Sequence, residues 1–127
     1  MSSAMSKINN VKDLQNSNVV KVVVDRQNNA LFFSRSMLPF PREIKEISSS
    51  NEVIEKYQFF RHIGIYGYRK EFLLHYVNMG QSPLEKIEKL EQLRALENGF
   101  KIKMIETDSS LMGIDTLEDY EEALKKY

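Results

Sequence analysis

No cysteine occurs among the 127 residues. A disulfide framework, a thiolate zinc site and a thiol nucleophile are therefore excluded together. Neither sign of charge is in excess, since Lys plus Arg and Asp plus Glu number 18 each. Nucleic-acid binding is disfavoured accordingly, because its affinity rests on cationic neutralisation of phosphates. No apolar run approaches the roughly 20 residues that a membrane-spanning helix needs. The stretch 1–18 is rich in Ser and Asn and lacks the apolar centre of a secretory signal. Glycine is scarce, and Gly64, Gly67, Gly80, Gly99 and Gly113 form neither a GxGxxG nor a GxxxxGK pattern. These absences point to a soluble cytoplasmic protein with no loop of the usual kinds for cradling a triphosphate.

What is present is enough for one small domain with a core. Hydrophobic residues make up 42% and charged residues 28% of the chain, unlike a disordered sequence. Residues 1–17 are polar, with weak apolar content at Ile8, Val11 and Leu14, and are expected to be free to fray. Residues 18–127 carry the domain. Asn18–Asp25 and Ala30–Arg35 are two β-rich runs, and the polar Asp25–Asn29 between them suits a hairpin turn. Pro39 and Pro41 break regular structure after Ser36. His62–Arg69 has the character of an interior strand, with Gly64 and Gly67 explained by close approach or by relief of crowding. A short helix is predicted from Lys70 to Asn78. Ser82, Pro83 and Glu85 form a helix-start signature, and Gly99 supplies a stop, so one helix is predicted over Ser82–Asn98. Phe100–Glu106 alternates as a strand, and a last helix with Leu117, Tyr120 and Leu124 on its apolar positions closes the chain. This order implies an α/β layer fold.

Several side chains have placements that need explaining. On a continuous helix from Ser82, the residues Leu84, Ile87 and Leu90 define an apolar arc into which Glu91 and Arg94 project. These two can neutralise one another at a spacing of three, or Glu91 with Gln92 can face a polar cavity. Arg35 and Arg42 flank the proline-rich loop; each is either solvated or a fork for a carboxylate. His62 suits a structural hydrogen bond, and neither it nor His75 has zinc-pair spacing. Tyr66 and Tyr68 should share a face, as core residues or as partners for a sugar. Asp115 lies where a carboxylate favours a helix start or holds a hard cation.

Four blocks, Ala30–Arg42, Phe60–Arg69, Ser82–Arg94 and Gly113–Asp119, together resemble CMP-KDO synthetase, the 3-deoxy-manno-octulosonate (KDO) cytidylyltransferase family. The resemblance implies a mixed-sheet fold like that of nucleotide-diphospho-sugar transferases, with a β-hairpin and loop region and helices packed on the sheet. It implies transfer of CMP from CTP to KDO for lipopolysaccharide assembly, with Mg²⁺. By the same match Arg42 pairs with the KDO carboxylate, and His62 and Tyr66 contact the sugar. Glu91 and Gln92 bond its hydroxyls, and Asp115 is one of two metal aspartates. The glycine- and arginine-containing loop, the lysine and the first metal aspartate of the family have no counterpart here. The chain is therefore expected to be the carboxy-terminal half, inactive alone, exposing a sheet edge and apolar surface. Its expected partners are KDO, CTP, and a second copy or the amino-terminal half. The alternatives are a transferase for another sugar acid, such as a sialic acid, and a non-catalytic dimerising remnant.

Overall fold

The computed structural model describes residues 1–43, 51–108 and 117–126. Its elements, in chain order, are β1 (Ser2–Lys7), α1 (Val11–Gln15), β2 (Lys21–Val24), β3 (Ala30–Ser34), α2 (Glu52–Lys56), β4 (Phe60–Gly67), α3 (Lys70–Tyr76), α4 (Pro83–Glu88), α5 (Leu93–Glu97), β5 (Lys103–Glu106) and α6 (Leu117–Lys126). The strands form one mixed sheet in the order β3-β2-β4-β1-β5. Every pairing is antiparallel except that of β1 with β5.

The expected hairpin forms. Asp25 Oδ1 accepts from the backbone N–H of Gln27 and Asn29, and Asn28 takes the left-handed conformation at φ 57° that asparagine tolerates. β2 pairs with β4 only at Lys21–Arg61 and Val22–Phe60. Beyond that the hairpin leaves β4 and its tip reaches β5. There Met104 N–H donates to Asn28 C=O at 2.7 Å, and Ala30 N–H donates to Ile102 C=O at 2.8 Å. The edge expected to lie open is thus partly covered by the chain's own turn.

The segment 1–17 is built into the fold. Ser2–Lys7 is paired on both sides, by β4 and by β5. Met5 joins Val22, Phe33, Leu90, Leu93, Ile102 and Met104 in the main core. Ile8, Val11 and Leu14 form a second core with Val53 and Phe59. The sequence Ser-Ser-Ala-Met-Ser-Lys has little strand propensity, and pairing on two sides overrides that weakness.

Lys21 lies within the β-rich run and has no exposed surface. Its ammonium group has three donors, and all are used: Asn16 C=O at 2.8 Å, Val19 C=O at 2.6 Å and Arg35 C=O at 2.6 Å. One side chain therefore joins the end of α1, the entry to β2 and the exit from β3. Burial lowers its pKa, opposed by the nearby Glu88 carboxylate.

Some apolar positions face outward. Ile65 and Ile105 on the sheet, Leu74 and Val77 by α3, and Leu117, Tyr120 and Leu124 on α6 are exposed. The α6 stripe read from the sequence is a helix as predicted, with its apolar positions on the surface. Among the described residues no helix is long and apolar enough to cross a membrane.

Candidate sugar-binding site

The helix predicted over Ser82–Asn98 is two helices, and the break between them makes the site. Lys89 turns into the left-handed conformation at φ 55°. In an unbroken helix the Glu88 carbonyl would accept from Gln92 N–H. Here it accepts from Arg35 Nε at 2.9 Å. The Glu88 carboxylate is taken as well, by Ser34 Oγ at 2.7 Å and Arg35 N–H at 3.0 Å. Ser34 and Arg35 therefore hold the end of α4, and the chain restarts as α5 at Leu93. Ile87, placed on the apolar arc by the continuous-helix reading, is 76% exposed, whereas Gln92 is 2% exposed.

The break also changes the expected ion pair. Arg94 does not pair with Glu91. Its guanidinium grips Glu85 with two bonds, Nε to Oε2 at 2.8 Å and one terminal nitrogen to Oε1 at 2.5 Å. It also lies 4.9 Å from the centroid of the Tyr76 ring, a favourable place for a cation. Hydrogen bonding from Arg94 holds the Glu85 carboxyl below its usual range. Glu85 Oε2 further accepts from Ser82 N–H at 3.2 Å, which fixes the start of α4.

Tyr76, buried on α3, donates to Glu91 C=O at 2.7 Å and so clamps the turn between α4 and α5. Tyr76→Phe keeps the ring and removes only that bond. The expected loss is about 1 kcal/mol of stability, measured by urea denaturation at equilibrium.

β4 brings the remaining groups to the same place. Tyr66 O–H donates to Gln92 Oε1 at 3.1 Å, and Gln92 Nε2 lies 3.4 Å from His62 Nδ1. His62 Nε2 lies 2.7 Å from Ser3 Oγ on β1. The His62 ring packs against Phe33 and Tyr66 at centroid distances of 4.9 and 5.5 Å. The aromatic row continues from Tyr66 to Tyr68 at 6.1 Å, so these two tyrosines share a face as expected. Burial pushes the His62 pKa down to about 4. Burial raises the pKa of Tyr66, and the Glu91 carboxylate raises it further. Tyr76 is raised to about 12, again chiefly by burial. All these groups are neutral near pH 7, which suits hydrogen bonding to hydroxyls more than proton transfer.

Of the six residues to which the family resemblance gives a role, four come together: His62, Tyr66, Glu91 and Gln92. Glu91 is not the core-facing residue of the continuous-helix reading. It is exposed beside the buried Gln92, with its charge felt by Tyr66, Tyr68 and Tyr76. Arg42 is exposed on a turn after the buried Pro41, and no contact among the described residues links it to the four. Arg35 serves the fold, donating to Glu88 C=O and to Ser17 C=O. Asp115 and Gly113 lie outside the described residues. Gly67 does stand at a close approach, since a Cβ there would lie 2.6 Å from Ser2 Oγ, while Gly64 faces open space. Ser3, Glu85 and Tyr76 contribute in ways that the sequence pattern does not show. Glu85 was visible only as a helix-start residue, and Ser3 sat in a stretch expected to fray. Among the described residues no group of three or more His, Asp or Glu side chains is placed to hold a metal ion.

A five-stranded mixed sheet carrying helices, with a polar aromatic cluster between β4 and the α4–α5 turn, defines an α/β protein. A family model described as cytidylyltransferase matches residues 1–105. The chain belongs to the cytidylyltransferase family. The 3-deoxy-manno-octulosonate cytidylyltransferase of Fusobacterium nucleatum is 46% identical over 98% of this chain and 46% of that protein. The protein of the same name from Syntrophotalea carbinolica is 48% identical over 94% of this chain and 47% of its own length. A solved structure of CMP:2-keto-3-deoxy-manno-octonic acid synthetase complexed with CTP superposes with a TM-score of 0.79. It is 33% identical and is matched over 98% of this chain and 48% of that one. The mixed-sheet fold implied by the sequence blocks is thus the fold observed. The chain spans about half the length of the curated relatives it matches.

Proposed function

We propose that this chain forms the acceptor half of a cytidylyltransferase that transfers CMP from CTP to KDO in the cytoplasm, for lipopolysaccharide assembly. The observation that carries the reading is the hydrogen-bonded set of His62, Gln92 and Tyr66, with Glu91 exposed beside it. In this reading Glu91 and Tyr66 bond the sugar hydroxyls, and Gln92 and His62 hold Tyr66 in place. Arg42 meets the sugar carboxylate through its guanidinium fork. The contribution of these residues is to orient one hydroxyl of the acceptor and exclude water around it, which lowers the entropic part of the barrier.

The nucleotide is bound outside this chain's described residues, so the isolated chain is expected to make no CMP-KDO. In this reading Asp115 is one of two aspartates that would hold Mg²⁺; among the described residues no group of three or more His, Asp or Glu side chains is placed for it. When bound, such an ion screens phosphate charge. The exposed Ile65, Ile105, Leu74 and Val77 support association with a second copy or with an amino-terminal half.

The test is thermal unfolding with each ligand. KDO at a hundred times its Kd should stabilise the chain by about 2.7 kcal/mol, and CTP should leave it unchanged. N-acetylneuraminic acid should stabilise it less than KDO. Stabilisation by neither sugar acid would count against a sugar site and for a dimerising remnant. Coupled synthesis of CMP-KDO by the purified chain, supplied with CTP and Mg²⁺, would overturn the assignment of the nucleotide site elsewhere.

A further inference from the structure

Ser3, on β1, sits at the start of a chain of hydrogen bonds that runs into the candidate site. Its hydroxyl lies 2.8 Å from Ile65 C=O and 3.2 Å from Ile63 C=O, where β1 and β4 fall out of register. A carbonyl only accepts, so the single hydroxyl proton is spent on that pair. The lone pairs of Ser3 Oγ then face His62 Nε2, 2.7 Å away, and the imidazole must carry its proton on Nε2. His62 Nδ1 is left as an acceptor and faces the amide nitrogen of Gln92 at 3.4 Å. The amide oxygen of Gln92 is thereby turned to receive the Tyr66 hydroxyl proton at 3.1 Å. Each bond fixes the direction of the next.

We propose that Ser3 is a positioning residue of the sugar site, fixing His62 in its Nε2–H form so that Gln92 and Tyr66 are oriented and the Tyr66 oxygen is left to accept from a ligand hydroxyl. This rests on the sugar-site reading only in its last clause. The ligand class follows from the chemistry: a polyol that donates a hydroxyl proton at this point, not one that presents an ether or carbonyl oxygen there. Ser3 is 4% exposed, so it acts through His62 and does not touch the ligand itself.

The experiment is long-range ¹H–¹⁵N correlation of the imidazoles in the full 127-residue chain near pH 7. The chain has two histidines, and the exposed His75 is an internal reference. His62 should show the Nε2–H tautomer alone in the wild type. Ser3→Ala should give a mixture of tautomers, and Ser3→Thr should restore the single form. In parallel, KDO binding by calorimetry should weaken roughly tenfold in Ser3→Ala, the equivalent of one lost hydrogen bond, and recover in Ser3→Thr. An Nδ1–H tautomer in the wild type, or an unchanged single tautomer in a folded Ser3→Ala, overturns the proposal. If Ser3→Ala does not fold, the wild-type and Ser3→Thr spectra still decide it. Failure of the wild type to bind KDO, with the tautomer pattern as expected, sinks the sugar reading and leaves the role of Ser3 on His62 standing.

Discussion

Lys21→Met should destabilise the chain by about 3–5 kcal/mol, the cost of losing three hydrogen bonds from one buried charged donor; among the described residues Asn16 C=O keeps only the Val19 N–H. Methionine approximates the aliphatic stem in volume, so lost packing contributes little. The carbonyls of Asn16, Val19 and Arg35 lose their shared partner. Glu88 also loses the cation whose interaction opposes the lowering of the Lys21 pKa. Urea denaturation measures the effect, and a change below about 1 kcal/mol would mean that water replaces the ammonium group without penalty. The damage should be felt first at the exit of β3, because Arg35 holds the end of α4 through Glu88. A weakened Arg35 frees the α4–α5 turn, and with it Glu91 and Gln92.

Acidification from pH 7 to pH 4 should cost the protein about 3 kcal/mol through His62 alone, because each tenfold difference in proton affinity between the unfolded and folded chain is worth about 1.36 kcal/mol. The folded-state pKa is pushed from the ordinary histidine value of 6.5 down to about 4 by burial. Between those values the unfolded chain binds a proton that the folded chain refuses. The contribution is complete above pH 6.5 and is lost as pH falls toward 4. The carboxyl of Glu85, held low by Arg94, acts in the same direction: its stabilisation is present above the ordinary carboxylate range and is lost on further acidification. His62→Gln removes the imidazole titration together with the ring's packing and hydrogen bonds, and the difference between two pH values leaves only the titration. Comparing urea midpoints at pH 7 and pH 4 isolates it: the wild type should lose about 3 kcal/mol more than the variant. Equal losses would show that His62 is protonated in the folded state without strain.

Much of this architecture was legible because local signals and tertiary structure agree. The hairpin announces itself through Asp25 and Asn28, and α3, β4 and β5 follow patterns of apolar side chains and breakers. Two elements were misread for physical reasons. Ser2–Lys7 has the composition of a loop, and becomes a strand through its pairing with Phe60–Gly67 and Lys103–Glu106, which no local window contains. The Ser82–Asn98 helix has every internal mark of continuity, and breaks because Arg35, from a distant strand, takes the carbonyl that would have carried it on. The site was legible in part for the same reason. His62, Tyr66, Glu91 and Gln92 lie in blocks that declare themselves, whereas Ser3 and Tyr76 matter only for what they hold. The wrong partner for Arg94 followed directly from the unbroken helix: on two helices with a turn between them, Glu85 is the carboxylate within reach.

The parallel pairing of β1 with β5 sets a timetable for synthesis. The hairpin of β2 and β3 closes a short loop and can form early. β1 cannot, since Ser2–Lys7 must wait for Phe60–Gly67 on one side and for Lys103–Glu106 on the other. A nascent chain that has not yet delivered residue 106 from the ribosome carries a half-paired β1 and an incomplete main core. The interval between those two deliveries is when a chaperone would find most to hold.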